Sequence, residues 1–435
     1  MMKTINFRGG VHPEYSKYIT ADLPVKVLPP PEIAIIPMVQ HVGEAAEPLV
    51  KKGDQVKVGQ IIGKICNTVC ASVHSPVSGT VKAVEPRPTV NGHALLSVVI
   101  ENDGLDAVID MNPHPDPIQL SAAEIQKKIE SAGIVGLGGA GFPAIVKINS
   151  AKDHKIDYLI INGSECEPYL TADHRVMAEY TSEVILGAKL LAKASGAEKI
   201  IIAVEENKPE CIAKLTEAAG SSAIEVVKVV TKYPAGSEKQ LIKAVCNREV
   251  PSNGLPYQVG VLVHNVGTAW AVAQACQKGR PLIERVVTVS GDIIKEPGNF
   301  LVRLGTPFKT VIQAAGGFTA EPAKVLAGGP MMGLAQYNLD VPVVKTVTGI
   351  LAFSQKEVKQ YDPMPCIKCG RCVEVCPAHL MPVRIELFAI NGMWDEARDY
   401  GAMDCIECGC CTYICPSKRG LFHWIKLAKS KIAKV

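Results

Sequence analysis

Apolar and polar residues along the chain follow two periodicities, and the two occupy different regions. Up to about Asp110 the apolar runs are short and alternate, as in EPLVKKGDQVKVGQIIGKI and ASVHSPVSGTVKAV, with breaks at Lys52-Gly53-Asp54 and Ser78-Gly79. Alternation between turn signals predicts a β-sandwich. Ser121-Ala-Ala-Glu124 is a capping box, and Ile125 and Ile129 continue it as one helical face that stops at Gly133. From Ile156 to about Val266 the near-continuous apolar runs IDYLIIN, KIIIAV, EVVKVV and GVLVHN read as buried strands. Between them, TSEVILGAKLLAKASG, CIAKLTEAAG and SEKQLIKAV carry apolar residues at helical spacing, the first two ending at Gly196 and Gly220. Strands alternating with helices predict an α/β layer on a largely parallel sheet. From Arg285 to about Asn338 short strands and Gly/Pro turns return. The expectation is an α/β multidomain chain with units at 1–115, 116–280, 281–345 and 360–435.

Composition narrows this picture. Of the 435 residues 47% are hydrophobic and 20% charged, which supplies packed cores and excludes a disordered chain. No run reaches the roughly 18 apolar residues of a membrane span. The longest candidate, from Gly260 to Cys276, is interrupted by His264, Asn265, Gly267 and Gln274. Met1 to Gly10 has no apolar signal core, so a soluble chain is expected. A net charge of +3 is too small for a nucleic-acid footprint. Of the 15 cysteines, nine lie between Cys366 and Cys415. Such clustering points to metal in a reducing compartment, because a disulfide framework would spread them.

Cys366-Ile-Lys-Cys369-Gly-Arg-Cys372-Val-Glu-Val-Cys376-Pro377 recurs as Cys405-Ile-Glu-Cys408-Gly-Cys-Cys411-Thr-Tyr-Ile-Cys415-Pro416. Three thiolates within seven residues wrap one corner of a [4Fe–4S] cube, and the fourth cysteine of each run ligates the other cluster. One cluster is therefore assigned Cys366, Cys369, Cys372 and Cys415, the other Cys405, Cys408, Cys411 and Cys376. Zinc sites use paired C-x2-C with a longer gap, which neither run has. Cys410 is surplus to the repeat and suits a packed role beside a cluster. Cys66 and Cys70 read as packed thiols on strands. Cys166, Cys211, Cys246 and Cys276 read as buried small hydrophobes. His12, His74 and His174 have no partners at a ligand spacing.

Gly136-Leu-Gly138-Gly139-Ala-Gly141-Phe142-Pro143 satisfies G-x-G-x-x-G, but a helix rather than a strand precedes it, so a simple dinucleotide fold fits poorly. Pro143 suits the first position of a helix, and bare amides followed by Lys147 suit a phosphate. GLGGAGFPAIVK resembles the flavin and NADH loop of the NADH-oxidising subunit of respiratory complex I. Asn162-Gly-Ser164-Glu165-Cys-Glu167-Pro168, Asp173-His-Arg175, Tyr233-Pro-Ala-Gly236-Ser237-Glu238 and His264-Asn265-Val-Gly-Thr268 resemble further elements of that family, in the same order. Leu137, Ser164, Ser237 and His264 depart from its pattern, and the complex I protein has one cluster where this chain has two.

The closer resemblance is to the C subunits of the Rnf ion-translocating electron-transport complexes. It rests on FRGGVHP (Phe7 to Pro13), IPMVQHVGEAAEPLVKKGD, NGSECEPY and the C-terminal double ferredoxin run. The first unit also looks like a biotinyl/lipoyl sandwich, although the carrier position near Thr68 holds no Lys. VVTVSGDIIKEPGNFLVRLGTPFKTVIQAAGG resembles an SLBB β-grasp module. The resemblance implies a lipoyl-like sandwich, a Rossmann-like flavin domain, the SLBB module and a two-cluster ferredoxin-like helical domain.

By that resemblance Gly138, Gly139, Lys147, Asn162, Glu165, Tyr233, Gly236 and Asn265 would hold FMN, and Gly136, Gly141 and Thr268 are expected to bind the cofactor with them. Phe142, Glu167 and Glu238 would face the nicotinamide of NAD(H). A flavin accepts hydride and releases single electrons, which is what paired cubanes need. The implied role is exchange between ferredoxin and NAD, coupled to Na+ or H+ transport by partner subunits. The chain would be peripheral on the cytoplasmic side of the cell membrane, and ferredoxin would be reached through a partner. A second reading, a soluble flavin-dependent cobalamin reductase, shares these modules but carries its ferredoxin run internally. A third is an electron wire without a nucleotide site. The tail from Lys418 is basic, and Leu421, Ile425, Ala428 and Ile432 share one helical face. That pattern suits either docking to a membrane or partner, or an ordinary capping helix.

Overall fold

Five parallel strands build the central layer of the computed structural model, which describes residues 4–66 and 69–433. Their order is Thr4–Ile5, Ile224–Val229, Lys199–Glu205, Tyr158–Gly163 and Val261–Asn265. Successive residues of a strand point to opposite faces, and here both faces are covered. Leu159, Ile161, Ile200, Ile202 and Leu262 enter one core, while Ile160, Ile201, Val227 and Val263 enter the other. This explains the unbroken apolar runs. Helices Thr181–Ser195 and Pro209–Ala219 form where the spacing places them, the former ending on Gly196 at φ 68°. The capping box at Ser121 is made: Glu124 N–H donates to the Ser121 hydroxyl, and Ser121 N–H donates to the Glu124 carboxylate at 2.8 Å. Helices Ala172–Glu179 and Val266–Lys278 were not anticipated, and the second absorbs the longest apolar run.

The β-sandwich comprises a four-stranded sheet (Ile33–Pro37, Ala94–Asn102, Gly79–Pro88, Gln55–Val56) facing a three-stranded one (Glu47–Pro48, Ile61–Lys64, Val73–His74). Ile36, Met38, Ile62, Val73, Val81 and Ile100 fill the space between. The carrier position near Thr68 lies outside the described residues.

The expected boundary of 1–115 does not describe how the strands pair. Thr4–Ile5 is the edge of the central parallel sheet, and Val25–Val27 pairs with Asn299–Leu301 in a third sheet. Strands of two and three residues carry no periodicity of their own; an open sheet edge elsewhere in the molecule orders them. That third sheet is mixed and six-stranded: Leu334–Gln336, Lys324–Ala327, Gly349–Phe353, Glu284–Ser290, Gly298–Arg303 and Val25–Val27. It runs past the expected end at 345, because Gly349–Phe353 sits at its centre.

The C-terminal unit is helical. Its core joins Ile385 and Ala389 to Leu421, Ile425, Ala428 and Ile432. Helix Leu421–Ile432 therefore spends its apolar face on its own domain, which is the capping reading of the tail. Lys434 lies outside the described residues. Among the described residues no helix is long and apolar enough to cross a membrane.

Candidate active site

A cavity of about 440 Å³ opens where all four units meet. Val90 and Asn91 come from the sandwich. Gly138, Gly139, Asn162, Glu165, Glu167, Tyr233, Gly236 and Asn265 come from the α/β layer. Gly328, Gly329, Met332 and Thr346 come from the third sheet, and Ile406 and Cys408 from the helical unit.

The glycine loop is held from behind, so that its front is bare. Gly136 N–H donates to Phe142 O at 2.8 Å, Gly141 N–H to Gly136 O at 3.2 Å, and Leu137 N–H to the buried Thr268 hydroxyl at 3.0 Å. Gly139 has φ 104°, and a Cβ there would meet nothing within 4 Å. The loop thus offers an uncovered backbone cradle, the kind a phosphate-bearing cofactor occupies. The helix starts at Ala144 with Pro143 as its cap, one residue later than expected.

The polar residues behind the cradle fix one another. The Asn162 side chain donates to Gly236 O at 2.8 Å and accepts from Ser164 N–H at 2.9 Å, tying two loops together. Gly236 is required there, since a Cβ would lie 2.3 Å from Ser164 O. Glu165 accepts from the amides of Asp173 and His174 at 2.9 and 3.2 Å, capping helix Ala172–Glu179. Asn265 caps helix Val266–Lys278 and donates to Asp173 at 2.6 Å. Burial, with the Glu165 charge beside it, pushes the Asp173 carboxyl up to about 7. Glu167 is pushed up to about 7 by burial, against the pull of two amides, those of Met331 and Met332.

Six of the expected residues do not line this cavity. Lys147 is ion-paired with Glu238 and donates to Val263 O at 2.7 Å, so each satisfies the other's charge away from the cradle. The phosphate role of Lys147 and the nicotinamide role of Glu238 remain what the resemblance implies. Gly136, Gly141, Phe142 and Thr268 shape the loop from behind, and Phe142 contributes its carbonyl to the turn. Conversely, Gly328, Gly329, Met332 and Gly333 of the 328–333 turn line the cavity and were not anticipated. Its Gly-Gly-Pro between two short strands was the available signal.

Tyr233 joins the cavity to the cysteine runs. It is 1% exposed, lines the cavity, and its hydroxyl donates to Cys408 O at 2.8 Å. The N-terminal FRGGVHP segment braces this junction. Val11 and Tyr233 exchange backbone hydrogen bonds, and a Cβ on Gly9 would sit 2.9 Å from the Cys376 backbone.

The two cysteine runs repeat in conformation as well as in sequence. Lys368 and Glu407 have φ 57° and 59°, and Gly370 and Gly409 have 76° and 74°. Both left-handed turns aim an amide at sulfur: Lys368 N–H at Cys366 and Glu407 N–H at Cys405, each 3.4 Å. Amides directed at thiolates are what a cluster-binding loop supplies. The fourth cysteine of each run lies with the other run. Cys376 borders one small cavity with Cys405, Cys408 and Cys411, and Cys415 is among the charges that act on Cys372. The donor sets suit two cubanes with crossed ligation. Cys410 is fully buried against Tyr233 and Cys408. Cys66 and Cys70 lie with their sulfurs 3.9 Å apart.

Four family models match in succession: the RnfC barrel sandwich hybrid domain over 5–105, the Nuo51 FMN-binding domain over 129–274, the SLBB domain over 286–335 and the 4Fe-4S dicluster domain over 365–419. The chain is 48% identical over 428 residues to the C subunit of the Na(+)-translocating ferredoxin:NAD(+) oxidoreductase complex of Acetobacterium woodii, covering 98% of this chain and 97% of that one. It is 44% identical to the proton-translocating counterpart of Clostridium ljungdahlii, covering 90% and 86%. Among solved structures, an NAD+-reducing [NiFe]-hydrogenase in the H2-reduced state shares the fold, with TM-score 0.51 and 20% identity over 75% of this chain and 63% of that one. An FMN-binding domain and a two-cluster domain are thus joined in one chain, and that chain belongs to the family of C subunits of ion-translocating ferredoxin:NAD oxidoreductase complexes.

Proposed function

We propose that this chain is the NADH- and FMN-binding electron-transfer subunit of a membrane-bound, ion-translocating ferredoxin:NAD oxidoreductase, working at the cytoplasmic face with partner subunits that move the ion. The observation that carries this reading is the single cavity bordered both by the bare glycine cradle and by Cys408. FMN, when bound, supplies the exchange between two-electron hydride and single electrons. The chain's own residues do the rest. Gly138, Gly139, Asn162, Gly236 and Asn265 shape and orient the flavin cavity. Tyr233 excludes water between that cavity and the cluster held by Cys376, Cys405, Cys408 and Cys411, which makes that cluster the flavin-proximal one. The cluster of Cys366, Cys369, Cys372 and Cys415, two of whose ligands are exposed, then faces the partner subunits.

Anaerobic reconstitution tests this reading. Chain loaded with iron, sulfide and FMN should hold about eight iron atoms, four for each cubane, together with flavin, and should oxidise NADH with an artificial acceptor. Clusters without flavin retention or NADH oxidation would leave only the electron-wire reading. In Tyr233→Phe the lost hydroxyl leaves Cys408 O unpaired, so the EPR signal of one cluster should change and that of the other should not.

A further inference from the structure

The Glu167 carboxylate grips the third-sheet module by its backbone. Its two oxygens accept separately from Met331 N–H at 3.0 Å and Met332 N–H at 2.8 Å. The receiving turn is built for it. Gly333 N–H closes on Gly329 O at 2.8 Å, and Gly328 N–H is anchored on Gly349 O at 2.7 Å. A Cβ on Gly329 would lie 2.2 Å from the Glu167 carboxylate, so only glycine lets the acid reach the two amides. Glu167 is also held from its other side. The buried Lys17 ammonium donates to Glu167 O at 2.8 Å and to Leu170 O at 2.6 Å, which pins the turn that presents the acid. Gly328, Gly329, Met332 and Gly333 then close one side of the flavin cavity.

We propose that Glu167 is a positioning residue whose carboxylate latches the 328–333 turn over the cavity, making the third-sheet module a wall of the flavin and nucleotide slot. This rests on the proposed function for what fills the slot, while the latch itself is a property of the chain. It differs from the role the complex I resemblance implies, in which Glu167 faces the nicotinamide directly. Both oxygens are already engaged with the turn, so the acid acts on the slot through the wall it holds.

Three full-length variants test it: Glu167→Ala, Glu167→Gln and Gly329→Ala. The last leaves the acid in place but displaces it from the turn. Two readouts are taken on reconstituted protein, amide hydrogen exchange at Met331 and Met332 and the rate of FMN release. Glu167→Ala and Gly329→Ala should both speed exchange at those two amides by about tenfold, roughly the loss of the one hydrogen bond each amide makes to the acid, and both should speed FMN release. Glu167→Gln keeps the shape and one strong acceptor, so it should fall between them and wild type. Unchanged exchange in Glu167→Ala alongside impaired NADH oxidation would overturn the latch in favour of direct contact with the nucleotide. Faster exchange with unchanged FMN release would show that the turn is not a wall. Failure of the proposed function is separable, because wild-type chain would then retain no FMN while exchange at the two amides still responded to the variants.

Discussion

Lys345 is fully buried where the sandwich, the glycine-loop segment and the third sheet meet, and its ammonium donates to two carbonyls, Ser72 O at 2.9 Å and Gly133 O at 2.7 Å. Burial lowers it from 10.5 to about 7, against a smaller opposing pull from Cys70. Between those values the unfolded chain binds a proton that the native chain lacks, so stability rises with pH through that window, and below it the penalty of the buried charge is complete. Lys345→Met should therefore flatten the dependence of Tm on pH between 7 and about 9.5, on top of a constant cost for two orphaned carbonyls. Parallel curves for the variant and wild type would sink the assignment. At the cradle, Gly138→Val should unfold near the wild-type temperature, because a Cβ there lies 3.4 Å from Asn265, yet FMN content should collapse as the side chain enters the cofactor's approach. Normal flavin absorbance in that variant would place the flavin elsewhere. Which residues line the cavity was legible wherever a motif fixes backbone shape, as at Gly138, Gly139, Asn162 and Asn265. It was not legible for Lys147 and Glu238, because nothing in their spacing says that two opposite charges 91 residues apart neutralise each other.

Helix Leu421–Ile432 shows what periodicity tells and what it leaves open. The positions of Leu421, Ile425, Ala428 and Ile432 predicted the helix and its apolar face correctly, but amphipathicity does not name the surface that face meets. The surface is the domain's own core, and Lys429 adds a hydrogen bond to Cys405 O at 2.8 Å and an ion pair with Glu407. Ile425→Ala should accordingly cost about 2–4 kcal/mol and reduce iron content, as a large-to-small change in a packed core. Lys426→Ala, at an exposed position, should stay within roughly 0.5 kcal/mol. Thermal unfolding with parallel iron assays distinguishes the two, and equal losses would mean that the helix is not seated this way. The buried strands were legible for a related reason: burial on both faces removes the alternation and leaves Val/Ile runs. Helix Ala172–Glu179 was not, since its first turn is capped by Glu165 from the preceding loop rather than by a local Ser or Asp.

At the scale of the molecule, Cys376 borders a small cavity with Cys405, Cys408 and Cys411, and the crossed ligation proposed from this leaves neither cluster on a contiguous stretch of chain. Cys376→Ala should disturb the cluster of Cys405, Cys408 and Cys411, leaving about four iron atoms and the EPR signal of the other cubane. Loss of the Cys366, Cys369 and Cys372 cluster instead would refute the crossing. The four units and their order were readable from the sequence, but their seams were not, because a short edge strand takes its register from whichever sheet offers it unpaired amides. The N-terminal segment carries a consequence for how the units are joined. Thr4 pairs with Lys228, Gly10 N–H bonds Val375 O, and Val27 pairs with Leu301, so this segment takes its structure from partners far along the chain. The same segment meets Tyr233 and the Cys376 region at once, so it ties the α/β layer to the helical unit. A side chain at Gly9 would therefore be felt first at the Cys376 backbone, far along the chain, rather than among its own sequence neighbours.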